Sequence, residues 1–232
     1  MRLNKPDIKN AFMAAFPHTL PVLTGFSVLG IAYGVLMQTK GYGAGWSVLF
    51  SAAAFCGSMQ FAAITILTSV FNPIQAFIMS VMVNARHIFY GISMLEKYKG
   101  LGKIKHFLIY TLCDETFSIT CSVQPPNGIN RKYFYLFVSL LDYIYWVSGT
   151  FIGGVLGGII TFNTKGLDFV LTALFVVLFA EQIKQRENKW PALIGITGAV
   201  GSLLVFGRDN MVIPAMVIIL IVLAGGQRKL CR

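Results

Sequence analysis

Asn84-Ala-Arg-His-Ile-Phe-Tyr-Gly91 places an amide, a guanidinium, an imidazole and a phenol where the surrounding chain is built for lipid. The ten residues before it, 74–83, are almost wholly apolar. A second polar cluster, Asp114-Glu115, sits seven residues inside the apolar run 107–123. Ionisable groups at membrane depth cost about 2.5–3.5 kcal/mol each on insertion scales, so they pair, face a cavity and mark a pathway. A guanidinium stays charged and suits a carboxylate, while an acid can take an ammonium or a proton. The chemistry these types allow is recognition of a small polar molecule on its way across a bilayer.

Helical geometry sorts the groups. Asn84, His87 and Gly91 share one face and form a hydrogen-bonding strip, whereas Arg86 and Tyr90 share another. Asp114 and Glu115 project about 100° apart, so one can pair with Arg86 or His87 while the other binds a proton or an ammonium. Asp142 lies inside Leu140-Leu-Asp-Tyr-Ile-Tyr-Trp146 and is a further proton-carrying acid. Gly57-Ser-Met-Gln60 sets a flexible glycine before two hydrogen-bonding side chains, and a helix unwound there offers free amides to a zwitterion. The candidate substrate residues are therefore Ser58, Gln60, Asn84, Arg86, His87 and Asp114. Candidates for proton or ion coupling are Asp114, Glu115 and Asp142. Neither a catalytic nor a metal-binding set is expected. Cys56, Cys113, Cys121 and Cys231 lack metal-type spacing and read as packed thiols.

Positioning these groups falls to a series of apolar segments. The 232 residues are 56% apolar and only 12% charged, with a mean hydropathy of +0.69. Soluble domains carry about 25% charged residues, so the balance identifies an all-α, polytopic membrane helix bundle. Expected spans are 20–37, 46–70, 73–95, 107–123, 133–162, 167–180, 190–206 and 211–225, about seven or eight crossings within one membrane transport domain, 1–232. Residues 1–19 are expected to form an interfacial segment before the first crossing, since Ile8, Ala11, Phe12, Ala15 and Phe16 recur at helical spacing beside Lys5 and Lys9. The first residues lack the small-residue cleavage site of a signal peptide. The 133–162 run is long enough to be tilted or broken at its glycines. Its ladder Gly149-x-x-x-Gly153-x-x-x-Gly157 suits close helix packing better than ligand binding.

The net charge of +10 resides between the spans, in 97–105, 184–189 and the chain end, as juxtamembrane anchors do. It does not indicate nucleic acid. A cytoplasmic N-terminus with eight crossings leaves the lysines of 97–105 outside, against the charge rule, so an irregular span is expected to be re-entrant or split. An internal echo links Gly30-x-x-x-Gly34 and 51–60 with Gly153-x-x-x-Gly157 and 171–182, the build of transporters with interrupted helices.

The ordered set Gly57-Ser-Met-Gln-Phe61, Asn84-Ala-Arg-His-Ile-Phe-Tyr-Gly91, Asp114-Glu-Thr-Phe117, Trp146-Val-Ser-Gly-Thr150 and Gly166-Leu-Asp-Phe169 resembles the AzlC family of branched-chain amino-acid exporters. The resemblance implies the large subunit of a two-part exporter in the bacterial cell membrane, acting with a small hydrophobic AzlD-type partner. The implied cargo is leucine, isoleucine, valine and sometimes methionine. No cofactor is implied, and no G-x-x-x-x-G-K-[ST] motif is present for direct ATP coupling, so an ion or proton gradient is the expected drive. Two other readings stay open on residues alone: an intramembrane serine hydrolase using Ser58 with His87 or His106, and a passive channel or assembly subunit.

Overall fold

The computed structural model describes residues 5–70, 72–159 and 189–211, with scattered positions between 176 and 222. The chain is all-α. Among the described residues the helices are α1 (Lys5–Thr39), α2 (Ala44–Ala54), α3 (Gly57–Thr68), α4 (Pro73–Met94), α5 (Ile104–Tyr110), α6 (Asp114–Ser122), α7 (Arg131–Ile159) and α8 (Lys189–Asn210). They fall into two compact units, Met1–Thr164 and Lys165–Arg232. Three of the described helices hold stretches long and apolar enough to cross a membrane: Asp7–Thr39, Arg131–Ile159 and Trp190–Gly207.

The first unit is organised by α1 and α7. The segment 1–19, expected to be a separate interfacial helix, is continuous from Lys5 with the first span, for α1 runs unbroken through Pro17 and Pro21. Each proline removes a donor. Next to them, hydroxyls bond back to the chain: Thr19 Oγ1 donates to Phe16 O at 2.9 Å and Thr24 Oγ1 to Pro21 O at 2.8 Å. The glycines of α7 do not break that helix; they let α1 approach it. A Cβ on Gly34 would stand 2.3 Å from Thr150 O, and one on Gly153 would stand 2.1 Å from Ile31 O. Small residues on both helices thus bring two backbones into contact, the packing device of membrane helices. Beside this seam, Ala15, Leu108, Phe134, Tyr135 and Val138 form the centre of an apolar core.

The two spans expected at 46–70 and 107–123 are each split into half-length helices. In the first, α2 ends where Phe55 takes φ 28° and ψ 52°, a left-handed conformation rare for a residue with a side chain. Cys56 is extended, and α3 starts at Gly57, whose missing Cβ makes room for the Trp146 ring. The break leaves Ala52 O without its intrahelical donor. Tyr143 Oη bonds it at 3.0 Å, and Tyr110 Oη donates to it as well. In the second split span, Thr111 N bonds Phe107 O, but Cys113 N turns to Thr111 O at 3.1 Å and the helix stops. It restarts at Asp114, with Asp114 and Glu115 in its first turn, where carboxylates complement the positive end of the helix dipole.

Between the split spans lies α4. Pro73 opens it, and Asn72 Oδ1 accepts from Ile74 N at 3.1 Å and Gln75 N at 3.2 Å, a capping arrangement suited to a proline at the first helical position. Two cations secure the loop that follows. Lys97 Nζ reaches Thr120 O at 2.7 Å and Cys121 O at 2.5 Å, so it caps the end of α6, and Arg131 Nη2 donates to Lys97 O. In the second unit, α8 bends at Gly207, which takes φ 72°. The expected spans 167–180 and 211–225, and the echo segment 171–182, lie largely outside the described residues.

Candidate functional site

The first turns of α3 and α6 and the middle of α4 converge. Arg86 Nη1 lies 2.9 Å from Asp114 Oδ2, and Arg86 Nη2 donates to Ser58 Oγ at 2.6 Å. Both partners of the ion pair remain about one-third exposed, at 34% and 37%. Arg86 Nε and Asp114 Oδ1 are buried and meet no hydrogen-bond partner among the described residues. A charge pair that keeps both solvent access and spare hydrogen-bonding capacity is able to receive a ligand. The elements around it suit that task. α3 starts without a side-chain cap, so the amides of Gly57, Ser58 and Met59 have no intrahelical acceptor. Such an N-terminus attracts anions.

Asn84 and His87 do not form one strip. Asn84 Oδ1 accepts from Cys56 Sγ at 3.0 Å and Asn84 Nδ2 donates to Ser80 O at 2.9 Å, which ties α4 to the α2–α3 break. His87 Nδ1 lies 3.3 Å from Asn84 O, and its ring meets Tyr90 edge-on at 5.6 Å. Tyr90 in turn stacks on Phe117 of α6 at 4.2 Å. The Arg86–Tyr90 face of α4 therefore meets α6. His87 and Gly91 line a separate apolar cleft against α5.

Gln60 stands apart from the ion pair. It is fully buried, with Nε2 on Ser51 Oγ at 2.9 Å and Oε1 receiving Trp146 Nε1 at 2.7 Å. Ser51 Oγ continues to Thr150 Oγ1 at 2.9 Å. This chain fastens the split span to α7. Gln60→Leu strands the indole N–H, and an unmade buried hydrogen bond costs about 1–3 kcal/mol. Thermal unfolding in detergent is expected to show a lower midpoint for this variant than for wild type.

Asp142 is fully buried on α7, where Oδ2 accepts from Thr116 Oγ1 at 2.8 Å. Its Oδ1 has no partner among the described residues, and neither has Ser139 Oγ. Thr116 lies two residues after Asp114 on α6, so a single short helix joins the buried acid to the ion pair. Glu115 is half-buried beside Asp114. Ser58 Oγ is held by a guanidinium, and among the described residues no histidine bonds it.

Sequence reasoning missed two tyrosines and one helix break. Tyr110 and Tyr143 meet on Ala52 O, yet phenols inside apolar runs look like ordinary core. The break before Asp114 did have a signal, because paired acids suit the first turn of a helix better than its middle.

The family model described as AzlC protein matches residues 21–160. The branched-chain amino acid transport protein AzlC of Bacillus subtilis (strain 168) is 48% identical over 219 residues, covering 94% of this chain and 86% of that protein. An uncharacterized membrane protein of Haemophilus influenzae is 39% identical over 224 residues, 96% of this chain and 92% of its own length. Inner membrane protein YgaZ of Escherichia coli is 28% identical over 202 residues, 82% of this chain and 81% of its own. No solved structure matches the chain.

Proposed function

Because this chain belongs to the AzlC family, we propose that it is a secondary transporter, not an enzyme, that exports branched-chain and other neutral hydrophobic amino acids. The observation that carries the reading is the Arg86–Asp114 pair, one-third exposed and placed between two helix breaks. A zwitterion has the same two charges as the pair. Its carboxylate replaces Asp114 on Arg86 and gains the first-turn amides of α3, while its ammonium takes Asp114. Exchange of one ion pair for two spares either charge from standing alone in a low-dielectric site. Ser58 orients the guanidinium. Met59 and Val83, in the apolar cluster beside Ser58, supply a surface for the cargo's side chain.

Asp142 is the proton-carrying acid in this reading. Buried with no cation paired to it among the described residues, it communicates with the site through Thr116 and α6. Glu115 lends the same helix a second acid. The whole chain acts as one transport domain, joined by a small hydrophobic AzlD-type subunit.

Efflux of preloaded valine, leucine and methionine tests the assignment in cells expressing the chain with and without such a subunit. Expressing cells are expected to lower their internal pool several-fold below empty-vector cells, and an uncoupler is expected to abolish the difference. Equal pools for all three amino acids defeat the proposal. Efflux that persists against a gradient-free membrane only down the cargo's own gradient marks a channel instead.

A further inference from the structure

A cleft of about 270 Å³ runs along α4, outside the polar centre. His87, Gly91 and Leu95 form one wall, Ile109 and Leu112 the other, and Lys105 stands at one end. Apart from the imidazole and the ammonium, its surface is almost wholly apolar. Ile88, Ile92, Leu95 and Ile109 are exposed at its mouth, which faces outward from the helix pair. From His87 to Leu95 the groove follows α4 for about 12 Å, at 1.5 Å per residue.

We propose that this cleft binds an anionic phospholipid, with one acyl chain along α4 and the headgroup phosphate on Lys105. The dimensions fit a hydrocarbon chain. A partner helix, about 10–12 Å across with its side chains, cannot enter a cleft of about 270 Å³ and would seat only single side chains in it. The charge fits as well. Lys97 is occupied by the carbonyls at the end of α6, and Lys99 sits 3.9 Å from Glu96. Lys105, half-buried, has no acid within ion-pair distance among the described residues. Its aliphatic stem lies in the cleft while the ammonium reaches the headgroup level. Basic positions of this kind at the ends of membrane helices recognise anionic headgroups. The inner end of the groove is His87, next to Arg86, so the chain terminus lies behind the residue that holds the ion pair.

Photolabelling tests the proposal without relying on transport. The full chain is reconstituted in phosphatidylcholine vesicles doped with either phosphatidylglycerol or phosphatidylcholine that carries a diazirine near the end of one acyl chain. Labelled peptides are then mapped by mass spectrometry. Phosphatidylglycerol is expected to label the 87–95 and 109–112 regions several-fold more than the phosphatidylcholine probe. Lys105→Gln should reduce that labelling to the phosphatidylcholine level. Gly91→Leu should reduce labelling by both probes, because a Cβ at Gly91 meets nothing within 4 Å and Gly91 lines the groove that the added side chain would occupy. Equal labelling by the two lipids, or labelling unchanged in both variants, overturns the proposal. Displacement of the label by excess leucine overturns it too, by making the cleft an amino-acid subsite.

Discussion

Arg86→Gln and Asp114→Asn each cut amino-acid efflux roughly 10- to 100-fold while the protein persists in the membrane at near wild-type amounts. Nη1 and Oδ2 are 2.9 Å apart, and each group loses its compensating charge when the other is neutralised. An isolated charge at membrane depth is expensive, but one-third exposure lets the survivor find water, so the fold is retained. Transport has no such escape. Removal of a charged hydrogen-bond partner from a bound zwitterion costs about 1.5–3 kcal/mol, which is roughly 10- to 100-fold in rate at each kcal-to-decade conversion of 1.36. Efflux assays paired with immunodetection of the membrane fraction check both halves. The double variant Arg86→Gln/Asp114→Asn is expected to be at least as inactive as either single change, because neither cargo charge then has a partner. Wild-type efflux in both single variants removes the pair from the pathway.

The second large effect concerns the fold. Gly153→Ala should prevent accumulation of the protein, although it adds one methyl group. That methyl would lie 2.1 Å from Ile31 O and 2.6 Å from Ile31 Cα, so the obstacle is backbone and cannot rotate away. Overpacking with side-chain relief costs about 1–3 kcal/mol, and a backbone clash on the central helix pair exceeds that range. Gly25→Ala provides the control on the same seam's outer face. Nothing lies within 4 Å of a Cβ there, and a helical glycine replaced by alanine gains roughly 0.5–1 kcal/mol. Expression level and detergent unfolding temperature should therefore move in opposite directions for two identical chemical changes. Equal behaviour of the two variants means that α1 and α7 are not packed at this distance.

Much of this arrangement is legible without coordinates. Pro73 marks the start of α4, and the glycine ladder of α7 favours a close crossing, since small residues at helical spacing let two backbones approach. Gly57-Ser-Met marks the first break, since glycine before hydrogen-bonding side chains weakens a helix in its middle. The role of Gln60 is illegible for a definite reason. One turn of α3 carries Gly57 to Gln60, and only the position of Trp146, 86 residues on, decides that the amide turns into the packing rather than toward Arg86. The separation of His87 from Asn84 has a similar origin. Helical periodicity groups them, but Cys56 draws Asn84 toward α3 and leaves His87 to the cleft.

The tyrosine contact on Ala52 has a mechanical meaning. Tyr110 is the last residue of α5, and its hydroxyl holds the carbonyl that the first break set free. The halves before the two breaks, α2 and α5, are tied there, while the halves after them, α3 and α6, are tied through Ser58, Arg86 and Asp114. A ligand that separates Arg86 from Asp114 unfastens only the second tie. The first remains, and α3 and α6 stay anchored to α7 through Gln60 and Thr116, so what such a ligand frees is only the contact between their first turns across Arg86.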